Sequence, residues 1–185
     1  MNYHVKDLSL APEGRRRIDW VRRNMPLLAA FEAGYGSLPE EEKPFAGVRV
    51  ALSIHMEPKT AYLCEVLTAA GATVSATGCN PLSTQDSSAA ALAAEGIAVF
   101  AVHGASEEEY RKDIEQCLEI RPHIVIDDGG DLVNMLHTKR RDLAEDVWGG
   151  CEETTTGVIR LRAMERDGSL NFPMLAVNNA RCKHL

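Results

Sequence analysis

The chain has 185 residues, 45% of them hydrophobic, which is enough for one well-buried core and too little for two. Its formal net charge of −7 argues against a nucleic-acid partner, because gripping a phosphate backbone needs a clustered excess of Lys and Arg. No apolar run approaches the roughly 20 residues of a membrane span, and the N-terminus lacks a signal-peptide pattern, so a cytoplasmic protein with a single domain over residues 1–185 is expected.

In chain order, Leu10 to Gly34 reads as a helix, with Ile18, Val21, Met25, Leu28 and Ala29 recurring at three and four residues. Arg15-Arg16-Arg17 and Arg22-Arg23 fall at helical spacing beside acidic neighbours, which suits a solvated helix face or a subunit contact. Gly34, Gly36 and Pro39 end this segment. Strands are predicted at Val48–Ile54, Ala72–Thr77, Ile97–Val102, Ile124–Ile126 and Met174–Val177. Helices are predicted at Lys59–Ala70, Thr84–Glu95, Glu107–Ile120 and Thr155–Arg166, with short helical pieces from Leu132 to Leu143. This alternation calls for a three-layer, Rossmann-like α/β domain with a mostly parallel sheet of about five strands.

Right-handed crossovers place the strand-to-helix loops on one edge of such a sheet. There His55–Lys59, Cys79–Asp86, Asp127–Asp131 and Val177–Lys183 would converge, with Glu152–Thr156 folding back over them. His55 follows an apolar strand and titrates near neutrality when unperturbed, which suits proton transfer, although a capping or packing role fits equally. Asn80, Ser83, Thr84, Gln85 and Asp86 form a polar loop that includes candidate helix caps. Asp127-Asp128-Gly129-Gly130-Asp131 crowds three carboxylates beside two glycines, the setting of an acid–base group or of a capped turn. Glu152-Glu153-Thr154-Thr155-Thr156-Gly157 carries one acid more than a helix cap needs, and a ribose diol would use the surplus. Lys183 could favour deprotonation of a hydroxyl, but this close to a chain end it is solvated by default. Cys64, Cys79, Cys117, Cys151 and Cys182 are odd in number and widely spaced, so neither disulfides nor a zinc motif is expected. The six histidines are scattered too, and no metal is expected. No G-x-G-x-x-G follows any strand.

Together His55-Met56, Cys79-Asn80, Ser83-Thr84-Gln85-Asp86, Asp127 to Asp131, Glu152 to Gly157 and Val177-Asn178 resemble the start of S-adenosylhomocysteine hydrolase. The resemblance runs in order through nearly the whole chain. It implies cleavage of a nucleoside thioether to nucleoside and homocysteine, with oxidation at the ribose 3′ position and NAD as electron acceptor. It implies that Glu153 holds the ribose hydroxyls, Lys183 assists at the 3′ position, and His55 and Asp131 move protons around C4′ and C5′. Asn178 would support the lysine. Glu57, Lys59, Thr60, Asn80 and Thr154 fall in the substrate-binding set, and Thr154, Thr155 and Thr156 in the cofactor-binding set.

Two departures matter. Glu57 and Lys59 stand where the family usually carries threonine and then glutamate or glutamine, and an ammonium donor suits the O6 acceptor of hypoxanthine, so an inosyl substrate is as open as an adenosyl one. Residues that the family places after Lys183, its NAD domain included, do not appear, so the chain by itself is expected to bind no NAD. Three readings follow: the substrate-binding part of an adenosylhomocysteinase-type hydrolase, a cofactor-free nucleoside or thioether binding module without turnover, or a stand-alone NAD-independent enzyme on a related nucleoside. A homo-oligomer is compatible with all three.

Overall fold

The structure is a computed structural model that describes residues 3–183, the side chain of residue 183 excepted. The strands are β1 (Tyr3–His4), β2 (Arg49–Ser53), β3 (Thr73–Thr77), β4 (Ala98–Phe100), β5 (Ile124–Asp127), β6 (Gly149–Glu152) and β7 (Met174–Ala176). They form one all-parallel sheet in the order β1-β4-β3-β2-β5-β6-β7. The strand order reverses between β2 and β5, and in open α/β sheets the crevice at that point, beyond the carboxyl ends of the strands, is where ligands bind.

The helices are α1 (Ala11–Asn24), α2 (Pro26–Gly36), α3 (Pro58–Ala69), α4 (Asp86–Ala94), α5 (Glu107–Leu118), α6 (Asp131–Thr138), α7 (Arg141–Ala144) and α8 (Thr155–Arg166). Helices α1, α3 and α4 cover one face, burying Ile18, Tyr62 and Leu92 against Val50, Leu52 and Val74. On the other face α5 to α8 bury Ile114, Leu136, Leu143 and Leu161 against Ala51 and Val125. Successive residues of β2 thus feed opposite cores, as the period of a strand requires.

Two strands exceed the expected five. Tyr3–His4 is only two residues long and is a strand because it pairs with β4. Gly149-Gly150-Cys151-Glu152 has no β-branched residue to announce it; a Cβ on Gly150 would lie 2.5 Å from Val125 Cγ2. The close approach of β5 therefore selects glycine there.

The first predicted helix is two. Pro26 disfavours the helical region for Met25, which sits at φ −122° and ψ 70°, and then opens α2. The basic cluster also resolves differently from a solvated face. Arg15 and Arg22 turn inward onto Glu65 of α3, with Nη1–Oε1 and Nη2–Oε2 distances of 2.7 Å, while Arg17 pairs with Glu13 on the outside. Burial raises the Glu65 pKa, and Arg15 opposes that shift.

Candidate functional site

Three adjacent strands deliver the central cluster. His55 follows β2, Cys79 follows β3 and Asp128 follows β5, so all three emerge at the point where the strand order reverses. His55 Nε2 lies 3.6 Å from Asp128 Oδ2, and Cys79 Sγ donates to the same oxygen at 3.2 Å. The Asp128 side chain is only 5% exposed, against 52% for His55. Burial and the Asp128 carboxylate both push the Cys79 thiol up, so it is held as S–H.

A serine hydroxyl orients the His55 ring. Ser83 Oγ donates to Asn80 O at 2.9 Å, and His55 Nδ1 lies 2.5 Å from that hydroxyl. The Ser83 hydroxyl thus ties the imidazole to the Asn80 turn, and Nε2 faces the Asp128 carboxylate.

The Asp127–Asp131 run divides into three roles. Asp127 is fully buried and accepts from Asp128 N at 3.0 Å and Val133 N at 2.8 Å, anchoring the loop and the start of α6. Burial, with Glu152 adding charge, pushes its pKa up to about 7; its backbone donors act in the opposite sense. Asp128 faces the cluster. Asp131 binds Arg160 Nη1 at 3.0 Å and accepts from the Tyr110 hydroxyl at 3.1 Å, the hydroxyl that also reaches Cys79 O. Asp127 ends β5, Asp128 is the first residue past it, and Asp131 opens α6.

Glu152 is buried, and its Oε1 accepts from Gly129 N, Thr154 N and Thr154 Oγ1 at 2.8–2.9 Å. Glu153 N donates to Asp127 O at 3.0 Å, which fastens the Glu153 loop beside the aspartate loop. Thr154 caps α8 through Gly157 N, Thr155 accepts from Asn178 Nδ2 at 3.2 Å, and Thr155 and Thr156 are exposed. Asn80 caps the turn at Pro81–Ser83 by accepting from Leu82 N, so that part of its chemistry is structural.

Glu57 and Lys59 lie 3.8 Å apart and line a groove of about 750 Å³ together with Trp20, Met25 and Gln85. Thr60 is buried, 6% exposed, behind that loop. The side chain of Lys183 lies outside the described residues. His55, Cys79 and Asp128 are not among the groove's lining residues. Sequence reading missed Tyr110, whose hydroxyl also reaches Cys79 O at 3.0 Å, and it placed Cys79 in a converging loop without giving it a role of its own. Cys79 stands two residues past β3, a position legible in the sequence, whereas nothing local marks Tyr110.

Residues 2–147 and 138–184 match the family model described as S-adenosyl-L-homocysteine hydrolase. An adenosylhomocysteinase of Pyrococcus abyssi is 55% identical over 184 residues, covering 100% of this chain and 43% of the relative. An S-inosyl-L-homocysteine hydrolase of Methanocaldococcus jannaschii is 49% identical over 183 residues, 99% of this chain and 43% of the relative. The chain thus spans less than half the length of these relatives. With a family model matched along nearly all of it, this chain belongs to the S-adenosyl-L-homocysteine hydrolase family.

Proposed function

We propose that this chain is the substrate-reading part of a hydrolase acting on a purine-nucleoside thioether of homocysteine, adenosyl or inosyl. The observation that carries the reading is the convergence of His55, Cys79 and Asp128 from three neighbouring strands, with the Glu153 loop fastened beside them. His55 Nε2 takes or returns a proton at the sugar's C4′–C5′ edge, with Asp128 stabilising the charged ring. Glu153 accepts from the ribose diol. Asn178 steadies Thr155 at the start of α8.

The base lies toward Glu57 and Lys59. A carboxylate acceptor beside an ammonium donor complements N1–H and O6 of hypoxanthine, and in the reverse order the N6 amine and N1 of adenine. Which ring atom meets Lys59 decides between the two substrates.

A dinucleotide does not fit the crevice itself. β2 runs into Ile54-His55-Met56 without a glycine, Pro58 removes a backbone donor from the first turn of α3, and the Asp128 carboxylate would face a pyrophosphate. NAD, which in the family oxidises and re-reduces the ribose 3′ carbon, must be held by residues other than these. The exposed Thr155 and Thr156 are sterically open to a cofactor held elsewhere. Binding without turnover is accordingly the behaviour proposed for these residues alone.

Calorimetric titration with S-adenosylhomocysteine, S-inosylhomocysteine, adenosine and inosine tests the reading. Saturable heat with at least one thioether is expected; no heat with any of the four overturns it.

A further inference from the structure

We propose that His55, Cys79 and Asp128 form a three-ligand site for a thiophilic divalent cation of the Zn²⁺ class. Nε2, Sγ and a carboxylate oxygen all lie within 4.8 Å of one another, and among the described residues no other such group of His, Cys, Asp and Glu was found. The Sγ–Oδ2 and Nε2–Oδ2 separations are 3.2 and 3.6 Å. A tetrahedral ion with bonds of 2.0–2.3 Å holds its ligands about 3.3–3.8 Å apart, so two edges of the site are already close to that spacing.

The surroundings favour a cation as well. Ser83 Oγ lies against His55 Nδ1, the kind of outer contact that orients a ligating imidazole and leaves Nε2 to the ion. Nε2 and the Asp128 carboxylate face each other across 3.6 Å, so an ion between them is held from both sides. All three ligands lie one or two residues past the ends of neighbouring strands. A sulfur, a nitrogen and one oxygen select Zn²⁺ over Mg²⁺ or Ca²⁺, which ask for oxygen cages.

Binding exchanges one proton. The Cys79 S–H bond breaks, the thiolate binds the ion, and the proton leaves to solvent. The fourth position is left to water. Occupancy ties up the Nε2 lone pair and the Asp128 oxygen, so the ion excludes the nucleoside thioether; this consequence rests on the function proposed above, whereas metal binding itself does not.

Titration of the reduced chain with Co²⁺, followed by absorbance, tests the site. A thiolate-to-cobalt charge-transfer band saturating at one equivalent and displaced by Zn²⁺ is expected. The band should vanish in Cys79→Ser and persist in Cys182→Ser, whose native thiol is exposed. Ser83→Ala should keep the band while weakening the metal about tenfold. Absence of a band in the wild type, its survival in Cys79→Ser, or its loss in Cys182→Ser overturns the proposal. Calorimetry of the thioether with and without one equivalent of Zn²⁺ tests the exclusion separately. Zn²⁺ binding without any thioether heat would leave the metal site standing and remove the nucleoside reading.

Discussion

Asp127 and Glu152 are register partners on β5 and β6, and both side chains are fully buried. Between them they accept from the backbone N–H groups of Asp128, Val133, Gly129 and Thr154. Two loops distant in sequence are thereby fixed side by side. Glu152 Oε2 has no hydrogen-bond partner, so burying two carboxyl groups side by side is costly here.

The burial of Asp127 predicts a pH dependence. Burial raises Asp127 from 3.8 to about 7, so between those values the folded chain holds a proton that the unfolded chain releases. The stabilisation is complete below about pH 4 and is lost as the pH rises through about 7, an effect on the order of a few kcal/mol at most. Urea unfolding of the wild type and Asp127→Asn at pH 5, 6, 7 and 8 should show the wild type losing ground to the variant as pH rises. A constant gap between the two would exclude the assignment.

Helix packing gives a second expectation. A Cβ on Gly14 would fall 1.8 Å from the carbonyl oxygen of Ser87, so α1 and α4 touch through backbone. Gly14→Ala should destabilise by about 1–3 kcal/mol, as overpacking does. Gly34, exposed in α2 with nothing within 4 Å, is the control. Gly34→Ala should stabilise by about 0.5–1 kcal/mol through helix propensity. Denaturation midpoints that move together for both would contradict the close contact.

Gly157 tests the same logic at the site. Its Cβ would stand 2.1 Å from Glu152 Cδ, and that carboxylate is walled in. Gly157→Ala should therefore cost about 1–3 kcal/mol and also weaken thioether binding, because the Glu153 loop shifts with it. Unchanged affinity in a folded variant would detach this loop from the ligand.

Asp128 and Asp131 separate the two roles that sequence left together. Asp128→Asn should weaken the thioether by about tenfold or more, because the carboxylate that faces His55 and accepts from Cys79 is lost. Asp131→Asn, which loosens only Arg160 and Tyr110, should stay within about twofold. Equal losses in calorimetry would restore Asp131 to the centre.

Much of the fold was legible because β-rich runs and amphipathic helices repeat along the chain, and the loops carrying His55, Cys79, Asp128 and Glu153 were visible as polar interruptions. β6 was not legible: Gly149–Glu152 is a strand through its neighbours and carries no propensity of its own. Nor could spacing suggest a metal group, since His55, Cys79 and Asp128 are 24 and 49 residues apart in sequence.

The sequence by itself determined the layers, the parallel sheet and the family. The tertiary structure alone decided which aspartate meets the imidazole, which arginines turn inward, and which thiol joins the cluster. The reason is geometric. Periodicity records whether a residue faces core or solvent, whereas the direction of a side chain past the end of a strand depends on the pleat and on contacts with strands distant in the chain.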